Sequence, residues 1–218
     1  MKIRIANPST AECINQLRLN AYKAASDAII LDYSFLYWNK EDETSTILFI
    51  ENDSGKIISS MRAKVLTKKK SVEAKFDIRM HDRLELPALI LDRACTDIRY
   101  RGHRLSAILR HLFISACLDT DVKNILTTVN AGAKRIPVME SVGYRFQEAD
   151  TSHRTNNVFK NNSKVLLGNI HRSIFPQAAI RSREVLDYQL EAFEIVDGFY
   201  QNISKSIEQA VSTSSSAL

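Results

Sequence analysis

The chain has 218 residues, 44% of them hydrophobic and 25% charged, enough to bury one substantial core with room for an elaboration. No apolar run reaches the roughly 18–20 residues of a membrane span, and MKIRIANPS lacks the apolar stretch and cleavage site of a secretory signal. Cys13, Cys95 and Cys117 are odd in number and show no CxxC spacing, so the expectation is a cytoplasmic protein with neither a disulfide framework nor a metal site. The net charge of +5 suits nucleic acid, the phosphates of a nucleotide-like cofactor, an acidic carrier protein, or no specific partner. The basic residues are not gathered with aromatics into one stripe, which ranks nucleic acid low, and Lys68-Lys69-Lys70 reads as a solvated turn.

In chain order, KIRIA alternates as a half-buried strand until Asn7-Pro8 breaks it. Ser9-Thr10-Ala11-Glu12 has the pattern of a capping box, and the helix that follows places Ile14, Leu17, Ala21 and Ala25 on one face. Residues 27–46 carry no clear period. They hold the aromatic cluster Tyr33, Phe35, Tyr37 and Trp38 and the acidic stretch Glu41–Glu43. TILFIE and KIISSMRAKV predict a hairpin around Asn52-Asp53-Ser54-Gly55. Residues 71–86 read as a short helix or irregular chain, and Pro87 opens the apolar strand ALILDRACT.

Leu105, Ile108, Leu109, Leu112 and Ala116 recur at helical spacing. A strand at Asn124–Val129, a short helix from Ala133 to Val142 capped by Gly143, and strands at Tyr144–Gln147 and Lys164–Ile170 follow, the last two separated by a polar loop at 150–162. From Ser182 to Ala210, Leu186, Leu190, Phe193, Val196, Tyr200, Ile203 and Ile207 step by three and four, which predicts one long amphipathic helix containing Gly198. The tail STSSSAL reads as disordered. There is no internal repeat, and the element order predicts an α/β sheet with helices on its faces.

Chemistry concentrates between Leu89 and Ser106. A buried strand runs through Asp97-Ile98-Arg99-Tyr100-Arg101-Gly102-His103-Arg104 into a helix. Such a junction aims unpaired amides and a positive dipole end at one point, a ready anion site. Gly102 permits close approach, and Arg99, Arg101 and Arg104 add charge. A surface turn with solvated arginines is the plainer alternative.

Tyr100-Arg101-Gly102 and the helix after it resemble the acyl-CoA motif of GNAT acyltransferases. Arg104 and Ser106 stand where that family carries glycine or a small residue, so the bulk of Arg104 bears on the pyrophosphate fit. Asn130, Ala133, Glu140 and Gly143-Tyr144 resemble the second half of the pattern, and Leu17-Arg18 with Tyr22 fits the first helix of the branch containing N-acyl amino acid synthases and autoinducer-synthase-like enzymes.

The resemblance, over about residues 1–170, implies a mixed, mostly antiparallel sheet. It divides the chain into an acyltransferase domain at 1–175, a helical extension at 176–211 and a tail at 212–218. It also implies a donor thioester, acyl-CoA or acyl carrier protein, with its pantetheine arm along Ala94, Cys95 and Thr96. The phosphates then lie on Arg101, Gly102, His103, Arg104, Leu105 and Ser106, and Asn130 contributes to the donor site. The acceptor is a small-molecule amine or amino acid attacking directly. Asp92 is the candidate base, against a structural ion pair with Arg93, and His103 and Cys95 are weaker catalytic candidates. Met139 stands where the family carries a tyrosine acid and donates no proton, and Tyr144 reads as packing. Tyr33, Phe35 and Trp38 are candidates for an acceptor or acyl pocket, or ordinary core. The C-terminal helix packs on its own domain, forms a homodimer, or serves as a lid. A ligand-binding protein that keeps the fold without catalysis stands as the alternative function.

Overall fold

The computed structural model describes residues 1–24, 33–80, 84–151, 164–195 and 198–215. Its elements are β1 (Lys2–Ile5), α1 (Ala11–Lys23), α2 (Lys40–Glu43), β2 (Thr46–Glu51), β3 (Ile57–Leu66), α3 (Lys69–Phe76), β4 (Ala88–Thr96), α4 (Leu105–Ala116), β5 (Asn124–Asn130), α5 (Ile136–Val142), β6 (Arg145–Glu148), β7 (Val165–His171), α6 (Phe175–Leu186) and α7 (Phe199–Ser215). Seven strands form one sheet in the order β1-β2-β3-β4-β5-β7-β6. Among the strand pairs only β4 and β5 are parallel, and α4 supplies the crossover that a parallel pair needs; every other pairing is antiparallel.

Both faces of the sheet are covered, so β2 and the first half of β4, Ala88–Leu91, are buried on both sides and read as apolar runs rather than alternating. Leu48 and Ile50 of β2 face α4 and α7, while Ile47 and Phe49 of the same strand face Ile14, Leu17 and Ala21 of α1. Farther along that second face, Val72 and Phe76 of α3 cover Ala88 and Ile90.

Helix α1 is capped differently from the expectation. The chain turns a residue pair earlier, with Pro8 opening a 3-10 turn capped by Asn7 rather than Ser9, and α1 continues from Thr10, whose side chain makes no cap bond to the helix. Its Oδ1 accepts the Ser9 N–H, and its own N–H donates to Thr10 Oγ1. Ala25 and most of the polar loop at 150–162 lie outside the described residues. Lys69 and Lys70 open α3 instead of forming a turn.

The single helix expected over 182–210 is two. Helix α6 ends at Leu186, Asp187 takes φ +51°, and a 3-10 segment runs to Ala192. Glu194 then bonds alongside β1, its N–H donating to Met1 O at 3.0 Å and its carbonyl accepting from Ile3 N. Helix α7 starts afresh after Gly198, at φ +76°, and continues to Ser215 through most of the tail expected to be disordered. Both pieces turn their apolar residues to the same core, so the three-and-four rhythm continues across a break it cannot register.

On the far edge, Phe146 of β6 lies directly over Gly168 of β7. A Cβ on Gly168 would stand 2.5 Å from the Phe146 ring. Gly168→Ala is therefore expected to destabilise the protein by about 1–3 kcal/mol, the range of overpacking, measured as a lower midpoint in urea unfolding.

Candidate active site at the opening between two parallel strands

Strands β4 and β5 pair at Ala88–Asn124, Leu89–Ile125 and Ile90–Leu126, and there their ladder stops. Each continues, β4 to Thr96 against β3 and β5 to Asn130 against β7, so the inner edges diverge into a wedge. Thr127 Oγ1 donates to Leu91 O at 2.8 Å across its apex. Part of the divergence comes from a bulge. Ser60 faces Cys95 and Arg62 faces Asp92, so three steps along β4 match two along β3. Arg93, at φ +48°, absorbs the extra residue.

One inserted residue reverses the parity of everything after it. Leu89 and Leu91 point to the α4 face, yet beyond the bulge it is Ala94 that does so, while Cys95 joins α1 on the other face. Ala94–Thr96 thus forms an open backbone edge along the wedge.

Past Thr96 the chain makes a 3-10 turn at Ile98–Tyr100 and enters α4 through Gly102, at φ +90°, and Arg104, at φ +56°. Helix α4 is fixed by its apolar face, with Leu105, Ile108, Leu109, Leu112 and Phe113 buried. Its first amides, at Leu105 and Ser106, have no preceding helical turn to bond. The left-handed backbone of Arg104 is rare outside glycine. Its guanidinium donates to the Val185 carbonyl at the end of α6, carrying the side chain's bulk away from the loop.

The other loop arginines are also engaged. Arg101 Nη2 donates to Ala21 O at 2.8 Å, tying the loop to the last turn of α1. Arg99 pairs with Asp97 at 3.0 Å, and Lys56 meets the same carboxylate at 2.7 Å. The hydrogen bonds of Arg99 and then Lys56 hold Asp97 well below the usual carboxylate range. Among the described residues Arg101 and Arg104 bond to neutral carbonyls, whereas the charge of Arg99 is answered by Asp97. His103 is exposed, and Asn130 ends β5 in a turn where its carbonyl accepts the Ala133 N–H.

Asp92 does not pair with Arg93. Arg62 grips it with two bonds, Nε at 2.7 Å and Nη2 at 2.6 Å, and Lys75 Nζ adds a third cation contact at 2.9 Å. Burial alone would raise the Asp92 pKa; Arg62 and Lys75 outweigh it and hold the carboxyl below its ordinary value. Arg93 goes instead to Asp42, at 2.6 Å.

Asp42 is the centre of this region. Fully buried, it receives Arg18 at 2.9 and 3.2 Å, Arg62 at 3.2 Å and Arg93, and so joins α1, α2, β3 and β4. Glu41 extends the network through Arg62, Lys64 and Lys75. None of Arg18, Asp42 or Arg62 was expected at the site. The available signal was Arg18 itself, a charged residue set in the apolar face between Leu17 and Ala21.

The aromatic candidates gather on this side. Leu36, wholly buried, anchors the segment, Trp38 donates its backbone N–H to Asn15 Oδ1 at 2.6 Å, and the Phe35 ring meets Tyr22 edge-on at 5.8 Å. Tyr33 lies under Lys23 Nζ at 5.6 Å, farther from the wedge. Cys95 is buried with its Sγ 3.2 Å from Ser60 Oγ, and burial raises its thiol pKa, so it is no ready nucleophile. Thr96 Oγ1 lies 3.0 Å from Ser59 Oγ.

On the α4 face, Met139 lines an apolar cleft with Ser106, Ala107 and Val142. Tyr144 is buried, its hydroxyl accepting from Arg110 Nη1 at 2.9 Å. Among the described residues no group of three or more His, Cys, Asp or Glu side chains is placed to hold a metal ion, and no helix is long and apolar enough to cross a membrane.

The overall fold of the chain matches solved structures. The chain has the GNAT fold. An N-acyl amino acid synthase from uncultured soil microbes matches at TM-score 0.57 with 12% identity, over 84% of this chain and 98% of that one. A CoA-dependent acyl-homoserine lactone synthase, solved with SAM and isopentyl-CoA, matches at 0.58 with 12% identity, over 94% and 98%. A GNAT-like decarboxylase in complex with isobutyryl-CoA matches at 0.56 with 14% identity, over 79% and 100%. No family model and no curated protein matches the sequence.

The carboxylates of the network set a pH signature. Arg18 and its neighbours depress Asp42 against the effect of burial, and Lys75 and Arg62 do so for Glu41. With folded values below unfolded ones, the unfolded chain binds more protons as pH falls, so stability is full above about pH 5 and declines below it. Asp42→Asn leaves three arginines facing a neutral group and is expected to cost about 3–5 kcal/mol. It should also flatten the acid limb of a stability–pH curve followed by denaturant unfolding.

Proposed function

We propose that the protein is an N-acyltransferase, moving an acyl group from a phosphopantetheine thioester, acyl-CoA or acyl carrier protein, to the amine of a small molecule or amino acid. The open edge of β4 above the Arg101–Ser106 loop carries this reading. A pantetheine arm presents amides that pair with an unpaired strand edge, and its phosphates suit the loop's glycine turn, the first helix amides and two arginines that, among the described residues, bond carbonyls. Neighbours of this fold solved with isobutyryl-CoA and isopentyl-CoA support such a donor.

In the reaction the amine nitrogen attacks the carbonyl carbon, a C–N bond forms, the C–S bond breaks, and the thiolate leaves while the amine proton passes to solvent. Catalysis is then mostly positioning. Asp92, with both oxygens held by Arg62, serves better to fix the bulge than to take that proton.

The charge balance supports an amino acid as acceptor. Among the described residues Arg18, Arg62, Lys64, Lys75 and Arg93 are five cations against the three carboxylates Glu41, Asp42 and Asp92, a surplus of two beside the bulge and the aromatic segment. An α-carboxylate next to the attacking amine would answer that surplus. The second reading is a thioester-binding protein without turnover, favoured by the ion-paired state of Asp92 and by Met139, which donates no proton.

A panel of acyl-CoAs of increasing chain length, incubated with amino acids and with their amides, tests this by thiol release. The expected result is release that depends on the amine and is faster for the free amino acids. Binding without release supports the second reading, and neither binding nor release from acyl-CoA or acyl carrier protein overturns both. Gly102→Val, at a φ that a β-branched residue rarely adopts, is expected to weaken acyl-CoA binding at least tenfold by displacing the loop amides, measured by calorimetry.

A further inference from the structure

We propose that Arg93, the inserted residue of the β4 bulge, selects the acceptor, its guanidinium binding the carboxylate of an amino acid whose amine attacks the thioester. The proposal rests on the acyl-transfer reading above, and adds to it a residue and a side of approach.

The backbone sets where Arg93 stands. Leu91 O takes the Thr127 hydroxyl at the apex of the wedge, and Ala94–Thr96 forms its open edge, so Arg93 lies between apex and edge. A donor with its phosphates on the Arg101–Ser106 loop runs its arm back from Thr96 toward Ala94. Its thioester end, farthest from the phosphates, then arrives beside Arg93.

The side chain runs to the α1 side of the sheet. Its Nη1 donates to Asp42 Oδ2 at 2.6 Å, a carboxylate shared with Arg18 of α1, and to Tyr37 O at 3.4 Å in the aromatic segment. An acceptor held there reaches the thioester from the face opposite the one that α4 covers.

The surplus positive charge of the network can be located. Arg62 is answered by Asp92 and Glu41, and Lys64 and Lys75 also reach Glu41. Among the described residues, Arg18 and Arg93 have Asp42 as their only carboxylate, and Arg62 shares it. Arg18 is wholly buried, whereas the Arg93 side chain is 9% exposed. Its Nε and Nη2 bond nothing among the described residues, and they are not sealed from solvent as Arg18 Nε is. Burial, then Arg62, holds the Arg93 pKa below its ordinary value even with Asp42 beside it. Arg93 is therefore the place where an outside anion meets the surplus.

An incompletely answered guanidinium with two unused nitrogens fits a carboxylate through two parallel bonds. In an amino acid the carboxylate sits on the carbon that bears the amine, so gripping it fixes the nitrogen near the thioester carbon. Arg93 moves no proton and takes no part in the bond changes.

The test uses the full chain, the thioester that gives the fastest thiol release, one accepted amino acid and its primary amide, with the wild type and Arg93→Gln. Hydrogen bonds to a charged group carry about 10- to 100-fold. The kcat/KM for the amino acid is expected to fall by that factor, mostly through KM, and the ratio of amino acid to amide to fall about tenfold or more. Equal losses on both acceptors overturn the proposal in favour of a role in holding the bulge, and so does no loss on either. A wild type that releases thiol equally well with acid and amide overturns it while leaving the acyl-transfer reading intact. If the wild type releases no thiol from any thioester, the acyl-transfer reading fails and this proposal with it. Should Arg93→Gln fail to fold, Arg93→Lys keeps a cation beside Asp42 without the two-nitrogen edge. The ratio of amino acid to amide is again expected to fall, and an unaltered ratio overturns the proposal.

Discussion

Asp42 is one carboxylate with no contact to water and three arginines around it, and the half of the molecule that holds the candidate site is assembled on that fact. An ion buried without partners costs several kcal/mol, so Arg18 and Arg62, both wholly buried, are held to Asp42 as firmly as it is held to them. Because the three arginines come from α1, β3 and β4, satisfying one carboxylate fixes the helix, the bulge and the aromatic segment relative to each other. An apolar contact would tolerate sliding; bidentate guanidinium bonds do not.

The bulge that this network braces has two consequences from one cause. Inserting Arg93 against β3 bends β4 away from β5, and it exchanges the faces of all later side chains. Ala94 turns to the α4 core and Cys95 to α1, while the backbone between them is left open toward the wedge. A regular strand in that place would pair with β5 along its length and close the wedge. The left-handed Arg93 is thus a strained residue at the candidate site, held by its bond to Asp42.

The acidic stretch Glu41–Glu43, without a period of its own, turns out to supply the hub, and its neighbour Leu36 supplies the apolar anchor. Periodicity reports which side of an element meets a core, and a four-residue helix between two irregular segments is too short to have one. The same limitation explains the C-terminal pair of helices, where an apolar rhythm appropriate to one helix is shared by two that meet one core. Asp187 and Gly198, both at positive φ, were the local marks of that break.

The residues by themselves determined the strands, the hairpin, the two main helices and the loop at Arg101–Ser106. Each of these is set by local chemistry: alternation, a turn of Asn, Asp, Ser and Gly, or an amphipathic face beginning at Leu105. Tertiary structure alone decided how the loop's arginines are used. Whether a guanidinium meets a phosphate, a carboxylate or a carbonyl depends on what packs beside it, and here Arg101 is drawn to α1 and Arg104 to α6. It decided likewise that Asp92 belongs to Arg62 and not to its neighbour Arg93. At the bulge both side chains reach one buried network, Arg93 through Asp42 and Asp92 through Arg62, and only the register of β3 sets Arg62 opposite Asp92.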